Sequence, residues 1–484
     1  MQRKFTDHSG TIGRVWLRMS TSNISHGFWA ILLAALVAGL LDIVVSQLRQ
    51  EPSQVLLAMG VDLSAEPPRP VVQADVTVDT TQLAELNVPV DTVVVSQADA
   101  LATHPLQPFW TALEQLRNGP GKVRIGYFGD SMIEGDLVTQ SLRHDLQQRF
   151  GGTGVGFVPI TSQTYGFRKS IYHRFSGDWQ DFNLLAPQAP DHEYGISGEY
   201  FLTQRSNASG STWVRYKGED LYPTTQAFER VRLFYGRRKR TPEATAGQYV
   251  MVRSDEQRDT LSLEQNALVN EVLVCQQPTQ EIQLNFRIPK DLPVYGLSFE
   301  SPSGIFVDNF ASRGNSGMNL VEIPGPTLAT FHQKLAYDLI VLQFGLNVIS
   351  TRRKDFTHYE KGMERVVRHF QEHAPGAAIL LVSCSDKSTR LRGRLQTDPS
   401  VPLVVDAQRR VAERTGVAFL DLYQAMGGRN SMIQWVKDDL ARSDYTHPNR
   451  KGAERVGEIV RDYLLQELAP TNDSSAPQTF AWKE

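Results

Sequence analysis

A set of short apolar runs separated by helical segments constrains this fold most. Lys122–Phe128 (KVRIGYF), GIFVDNFA at 304–311, YDLIVLQF at 337–344, AAILLVSC at 377–384 and VAFLDL at 417–422 read as buried strands. Helices are predicted between and after them, at about 356–373, 401–414 and 450–467. The last of these carries Val456, Ile459, Val460, Tyr463 and Leu464 on one face. PFWTALEQLRNG, stopping at Gly119-Pro120, and Asp136–Phe150, stopping at Gly151-Gly152, read as further helices. Strand–helix alternation implies a parallel sheet covered by helices on both sides.

The alternation is interrupted once. From 153 to 303, short runs rich in β-branched and aromatic residues follow one another, split by turn clusters such as those at 207–210 and 241–243. STWVRYKG, RVRLFYG, QYVMVRS, EVLVC and EIQLNFRI each read as strands, and helical periodicity is scarce. This predicts an inserted all-β unit, a sandwich or jelly roll. Lifting it out leaves 105–152 and 304–468, about 200 residues, a natural size for one α/β domain.

The N-terminal part has another character. Gly27–Val45 is a run of about 19 residues with Asp42 as its one charge, enough as a helix to cross a bilayer core. Arg3, Lys4, Arg14 and Arg18 precede it against Asp7 alone, so the positive-inside rule puts 1–26 in the cytoplasm and the remainder outside. The expectation is a single-pass inner-membrane anchor at 27–47, with the folded part in the periplasm or outside the cell. A cleaved signal peptide is the alternative, although its apolar core is usually shorter, at about 7–15 residues. Residues 48–104, with Pro67, Pro68, Pro70 and Pro89, read as an extended stalk, and 469–484 as a loose tail.

Composition limits the function classes. A formal net charge of −3 leaves no electrostatic footprint for nucleic acid. Cys275 and Cys384 are too few for a disulfide scaffold and are either one bridge or two buried thiols. No Cys/His cluster suggests a metal site, and no cofactor is expected.

Chemistry concentrates where strands end. In GYFGDSMIEGD (126–136) a strand gives way to a Gly-Asp-Ser turn, and ligands of open parallel sheets bind beyond the carboxyl ends of strands. Ser131 there is either a nucleophile or a helix cap. In SDYTHPN (443–449), Pro448 favours a helix start and so holds His447 at a loop–helix junction. Asp444, three residues earlier, is placed to orient its imidazole, or else to form an Asx-type turn beside a surface histidine. In FGLN (344–347), Asn347 can aim an amide at the same rim, and RGNSG (313–317) offers glycine N–H groups.

Taken together, these segments resemble the SGNH (GDSL-like) hydrolase superfamily, whose sequence blocks contribute Ser, Gly, Asn and His. Gly129-Asp130-Ser131 resembles the first block, with Met132 where leucine is commoner. Arg313–Gly317 is similar to the second, Gly345-Leu346-Asn347 to the third, and Asp444-x-x-His447-Pro448 to the last. The resemblance implies a flavodoxin-like three-layer sandwich. It implies Ser131, Asp444 and His447 as catalytic residues, with an oxyanion hole from the Ser131 and Gly317 N–H groups and the Asn347 side chain; Gly314 is the fallback for Gly317. No GxSxG elbow surrounds Ser131, unlike the α/β-hydrolases.

An exported domain of this type with a β insertion after its first block resembles bacterial peptidoglycan and polysaccharide O-acetylesterases. The expected substrate is an acetylated glycan, deacylated through an acyl-serine. A polysaccharide O-acetyltransferase, served by a membrane acyl-transport partner, is the alternative. A non-catalytic glycan-binding protein is a third reading, disfavoured by the complete residue set. Trp179, Trp213, Tyr216, Tyr222 and Tyr235 in the insertion either stack on sugar rings or fill its core.

Overall fold

A computed structural model describes residues 104–185, 192–204, 212–238, 248–255, 257–466 and 468. The expected anchor at 27–47, its flanks at 1–26 and 48–103, the tail at 469–484 and the turn clusters at 207–210 and 241–243 lie outside the described residues. Among the described residues, no helix is long and apolar enough to cross a membrane.

The chain runs through α1 (Gln107–Asn118), β1 (Lys122–Gly129) and α2 (Thr139–Phe150) before leaving the α/β layers. It then forms β2 (Gly156–Pro159), β3 (Ile171–Phe175), β4 (Trp179–Asn183), β5 (Glu199–Thr203), β6 (Thr212–Gly218) and β7 (Arg230–Tyr235). β8 (Tyr249–Ser254), β9 (Arg258–Ser262), β10 (Asn270–Cys275), β11 (Glu281–Arg287) and β12 (Val294–Glu300) complete this excursion. The α/β part resumes with β13 (Gly304–Ala311), α3 (Gly325–Leu335), β14 (Leu339–Gln343), α4 (Thr357–His373) and β15 (Ala378–Val382). A hairpin of β16 (Ser388–Leu391) and β17 (Arg394–Thr397) follows, then α5 (Ser400–Thr415), β18 (Ala418–Leu420), α6 (Leu422–Ala425), α7 (Ser431–Lys437) and α8 (Arg450–Leu465).

The α/β sheet has the order β13-β1-β14-β15-β18, and every pairing is parallel. β14 (LIVLQ) and β15 (AILLV) are buried at every position, which is why they appear in sequence as unbroken apolar runs. Helices supply matching stripes, such as Met363, Val366, Val367 and Phe370 on α4 and Val456, Val460 and Leu464 on α8. Burying each such side chain contributes about 1.5–3 kcal/mol. β1 pairs with β13 in register from Lys122 opposite Gly304 to Gly129 opposite Ala311. The β excursion therefore leaves and rejoins the sheet between two adjacent strands.

That excursion folds as two antiparallel sheets. One has the order β10-β7-β12-β5-β4, with β2 also paired to β12; the other is β3-β6-β11-β8-β9. Their inner faces share a core that includes Val214, Tyr216, Ile282 and Leu284 with Val231, Leu233, Leu297 and Phe299. Trp179, Tyr216 and Tyr235 are buried, while Trp213 and Tyr222 stay partly exposed. Cys275 and Cys384 are separate buried thiols.

A buried ionic cluster joins the two parts. Arg124 of β1 donates from Nη1 to both Asp308 carboxylate oxygens, at 2.8 and 3.0 Å, and from Nη2 to Glu300 at 2.5 Å. Arg232 Nε reaches the other Glu300 oxygen at 2.6 Å, the Tyr337 hydroxyl donates to Asp308, and so does the Phe157 N–H. Arg124 and Asp308 belong to the α/β sheet; Glu300, Arg232 and Phe157 belong to the β sheets. Buried pairs of this kind fix geometry more than they add net stability.

Two local expectations need correction. The helix expected from Asp136 begins at Thr139, because Asp136 has φ 65° and is fully buried against Arg143 and Arg168. Pro448 is not the first helical residue; Asn449 caps α8, its side chain accepting the Gly452 N–H.

Candidate active site

The rim at the carboxyl ends of β1, β13 and β14 carries the polar residues of interest. β1 ends at Gly129, and the next residues are Asp130 and Ser131. Ser131 Oγ stands 2.9 Å from His447 Nε2. On the far side of the ring, His447 Nδ1 stands 2.9 Å from Asp444 Oδ2. A hydroxyl, an imidazole and a carboxylate thus form one hydrogen-bonded chain.

Asp444 makes two sets of hydrogen bonds. Its Oδ1 accepts the N–H groups of Thr446 and His447, an Asx-type turn that shapes the loop, while Oδ2 faces the ring. Tyr445 between them has φ 54°, and the Arg442 N–H donates to the His447 carbonyl, closing the loop ahead of α8. Burial alone would raise the Asp444 carboxyl, but the hydrogen bonds from His447 and Thr446 outweigh it and hold the group below the usual carboxylate range. His447 and Asp444 keep 33% and 47% of their side-chain surface exposed, so water reaches this end of the chain.

The remaining rim residues form a second network. Asn347 follows β14, where Gly345, at φ 123°, turns the chain so closely past Cys384 that a Cβ would sit 3.0 Å away. Asn347 Nδ2 donates to Asp130 Oδ2 at 3.0 Å and to the Asn315 carbonyl at 2.9 Å. Gly317, at φ 91° against Phe344 and Met363, donates its N–H to Asn315 Oδ1 at 2.8 Å. The expected oxyanion donors therefore lie on one rim, but both Asn347 and Gly317 are engaged by protein acceptors in this structure. The Gly314 fallback lies in the exposed part of that segment.

Asp130 and Asn315 were not singled out from sequence, although both sit inside the quoted motifs. Asp130 is buried, and its Oδ1 accepts the Met132 N–H. Burial pushes its carboxyl up to about 6, opposed by that N–H and by His447. Arg313 grips Glu134 through two bonds of 2.8 and 2.7 Å, joining the β13 loop to the turn after Ser131. Beside this pair a cleft of about 300 Å³ opens between the α/β rim and the β sheets, lined by Glu134, Arg313, Ser162, Asn183, Leu185 and Glu199 among others.

Comparison with known proteins agrees with this fold. A peptidoglycan O-acetylesterase structure matches 75% of this chain and 96% of its own, with TM-score 0.61 and 22% identity. An acetyl xylan esterase covers 33% of this chain and 80% of its own (TM-score 0.26, 16% identity). A family two carbohydrate esterase from Cellvibrio japonicus covers 61% and 98% (TM-score 0.25, 9% identity). No protein of curated function matches the chain in sequence. Residues 296–455 match the GDSL-like Lipase/Acylhydrolase family, a stretch that holds Gly317, Asn347, Asp444 and His447 but begins after Ser131. Over residues 296–455 the α/β part is thus similar to the GDSL-like lipase/acylhydrolase family, and the fold resembles that of the peptidoglycan O-acetylesterase structure.

Proposed function

We propose that the protein is an extracytoplasmic esterase that removes O-acetyl groups from a cell-wall or exported polysaccharide, held at the inner membrane by residues 27–47. The observation that carries the reading is the Ser131–His447–Asp444 chain, with both links at 2.9 Å. His447 Nε2 takes the Ser131 proton as Oγ attacks the ester carbonyl. Asp444 holds the ring tautomer and offsets the imidazolium charge. The oxyanion is received by the Ser131 N–H together with the Gly317 N–H and the Asn347 amide, which exchange their present acceptors for it. His447 then delivers that proton to the departing sugar oxygen, which leaves as a hydroxyl, and water resolves the acyl-serine by the reverse path.

Three features support the glycan and hydrolysis. The cleft beside the serine turn is lined mainly by polar side chains, which suits a hydroxyl-rich substrate. The half-exposed His447 and Asp444 admit water, which an acyl transferase must keep from its intermediate. The fold match is to a peptidoglycan O-acetylesterase. In this reading the inserted β unit is a jelly-roll-like carbohydrate module.

The test is to incubate the detergent-solubilised full chain with O-acetylated peptidoglycan, with and without a chito-oligosaccharide acceptor. Free acetate in both is expected. Acetyl groups on the acceptor in place of free acetate would establish the transferase instead. Protease treatment of spheroplasts should degrade the C-terminal domains; their protection would overturn the topology.

A further inference from the structure

The outer face of the β3-β6-β11-β8-β9 sheet carries an unusual charge pattern. Strand register places Arg174 opposite Arg215, Arg215 opposite Gln283, Gln283 opposite Arg253, and Arg253 opposite Arg258. One row crossing all the strands of the sheet therefore holds four arginines and a glutamine. Neighbouring positions along these strands, Val214, Ile282, Leu284 and Val252, point into the core, so the row faces away from the other sheet. In the adjacent row, Tyr172 lies opposite Lys217 and Lys217 opposite Glu281.

Like charges directly opposite one another on paired strands are destabilising. The Arg174/Arg215 and Arg253/Arg258 pairs carry that cost, and Glu281 offsets it for Arg215 alone, at 2.7 Å. Among the described residues, no ion pair engages Arg174, Lys217, Arg253 or Arg258. Two described carboxylates, Asp255 and Asp259, flank Arg253 and Arg258 in sequence. Asp255 accepts from Thr279 and the Gln280 N–H, and Asp259 alternates to the opposite side of β9 from Arg258. Composition does not force this face to be basic, since the whole chain is net negative.

We infer that this row binds an anionic glycan strand laid across the sheet. At about 4.8 Å between strands the row extends roughly 19 Å, enough for several sugar units. Planar guanidinium groups match carboxylates in geometry as well as charge. Trp213, next to Arg215 on the same face, and Tyr172, over which Arg174 lies at 4.8 Å, offer partly exposed rings for sugar faces. Both rings are set within the sheet, which suits a strand lying on it better than insertion into a lipid surface. The site is separate from the Ser131 rim and adds polymer retention to it.

The test uses the full chain in detergent with alginate as the acidic glycan, dextran as the neutral one, and phosphatidylglycerol vesicles as the competing anionic surface. Alginate binding is expected, weakening steeply between about 0.05 and 0.5 M salt as screening shortens. Arg253→Gln with Arg258→Gln should weaken it roughly tenfold or more. Trp213→Ala should weaken it further, and p-nitrophenyl acetate turnover should stay at the wild-type level in all variants. Circular dichroism melts verify folding, and the Arg253→Lys, Arg258→Lys pair should bind nearer to wild type. Alginate binding unchanged in the glutamine variant overturns the proposal, as does binding to the vesicles alone. Loss of esterase activity in wild type would refute the enzymatic reading and leave this binding result standing.

Discussion

Ser131 Oγ and His447 Nε2 are 2.9 Å apart although 316 residues separate them in the chain. The contact brings the carboxyl end of β1 to the loop before α8. It is productive when the ring proton sits on Nδ1, facing Asp444 Oδ2, because Nε2 then accepts from the serine hydroxyl. Ser131→Ala and His447→Ala are each expected to lower kcat on p-nitrophenyl acetate by about 10⁴-fold or more, with the double variant no worse than either single one. Additive losses in the double variant, or a single variant with wild-type turnover, would remove these residues from the chemistry.

Asp444 separates orientation from loop shape. Asp444→Asn keeps an oxygen for the Thr446 and His447 N–H groups but removes the charge facing Nδ1. A kcat loss of about 10²–10⁴ is expected, with little change in melting temperature near neutral pH. The sign of the acid dependence follows from the lowered carboxyl. Its contribution to stability is present above the unfolded value near 3.8 and is lost as pH falls through the folded one. Half exposure makes this contribution small. Melts of the variant below about pH 4 should therefore lie closer to its neutral-pH value than those of wild type.

Asn347 and Asn315 are coupled through one carbonyl. Asn347→Ala removes a donor from the rim and should cost about 10²–10³ in kcat. Asn315→Ala retains the carbonyl that Asn347 uses but deprives the Gly317 N–H of its buried acceptor. A stability loss of about 1–3 kcal/mol is expected, with a smaller effect on kcat than in Asn347→Ala. Chemical denaturation and steady-state rates measured together decide it: an Asn315→Ala variant slower than Asn347→Ala would make Asn315 the more important of the two for turnover.

The legible parts of this fold are those written locally. β14 and β15 lie between helices and show unbroken apolar runs, and Gly129-Asp130-Ser131 and Asp444-x-x-His447 are contiguous motifs. Strands β4 (WQDFN) and β9 (RDTLS) were missed because neither alternates cleanly between apolar and polar residues; packing of the neighbouring strand defines them. The β16–β17 hairpin turns through Arg392 and Gly393, both at positive φ, with too few apolar residues to announce it. The capture of the Gly317 N–H by Asn315 depends on a side-chain direction that motif spacing does not encode. Nor does any local pattern pair Arg124 with Glu300 and Asp308, each more than a hundred residues away.

That pairing carries the last prediction. Burial alone would raise the Glu300 carboxyl, but Arg124, Arg232 and Lys122 outweigh it and hold it at about 2. The stability this contributes is therefore present above the unfolded value near 4.5 and is lost as pH falls from there toward 2. Arg124→Met fills similar volume yet leaves Glu300 and Asp308 without their shared cation. It should lower the unfolding free energy by about 3–5 kcal/mol at neutral pH. With the cation gone, the Glu300 carboxyl rises, so acid unfolding should begin at higher pH than in wild type. Because the cluster joins the β sheets to the α/β sheet, the variant should also lose unfolding cooperativity, with fluorescence and circular dichroism transitions no longer coincident. Urea titrations across the acid range measure all three effects, and a variant with the wild-type midpoint and a single transition would show that the packing around Arg124, not its charge, holds the two parts together.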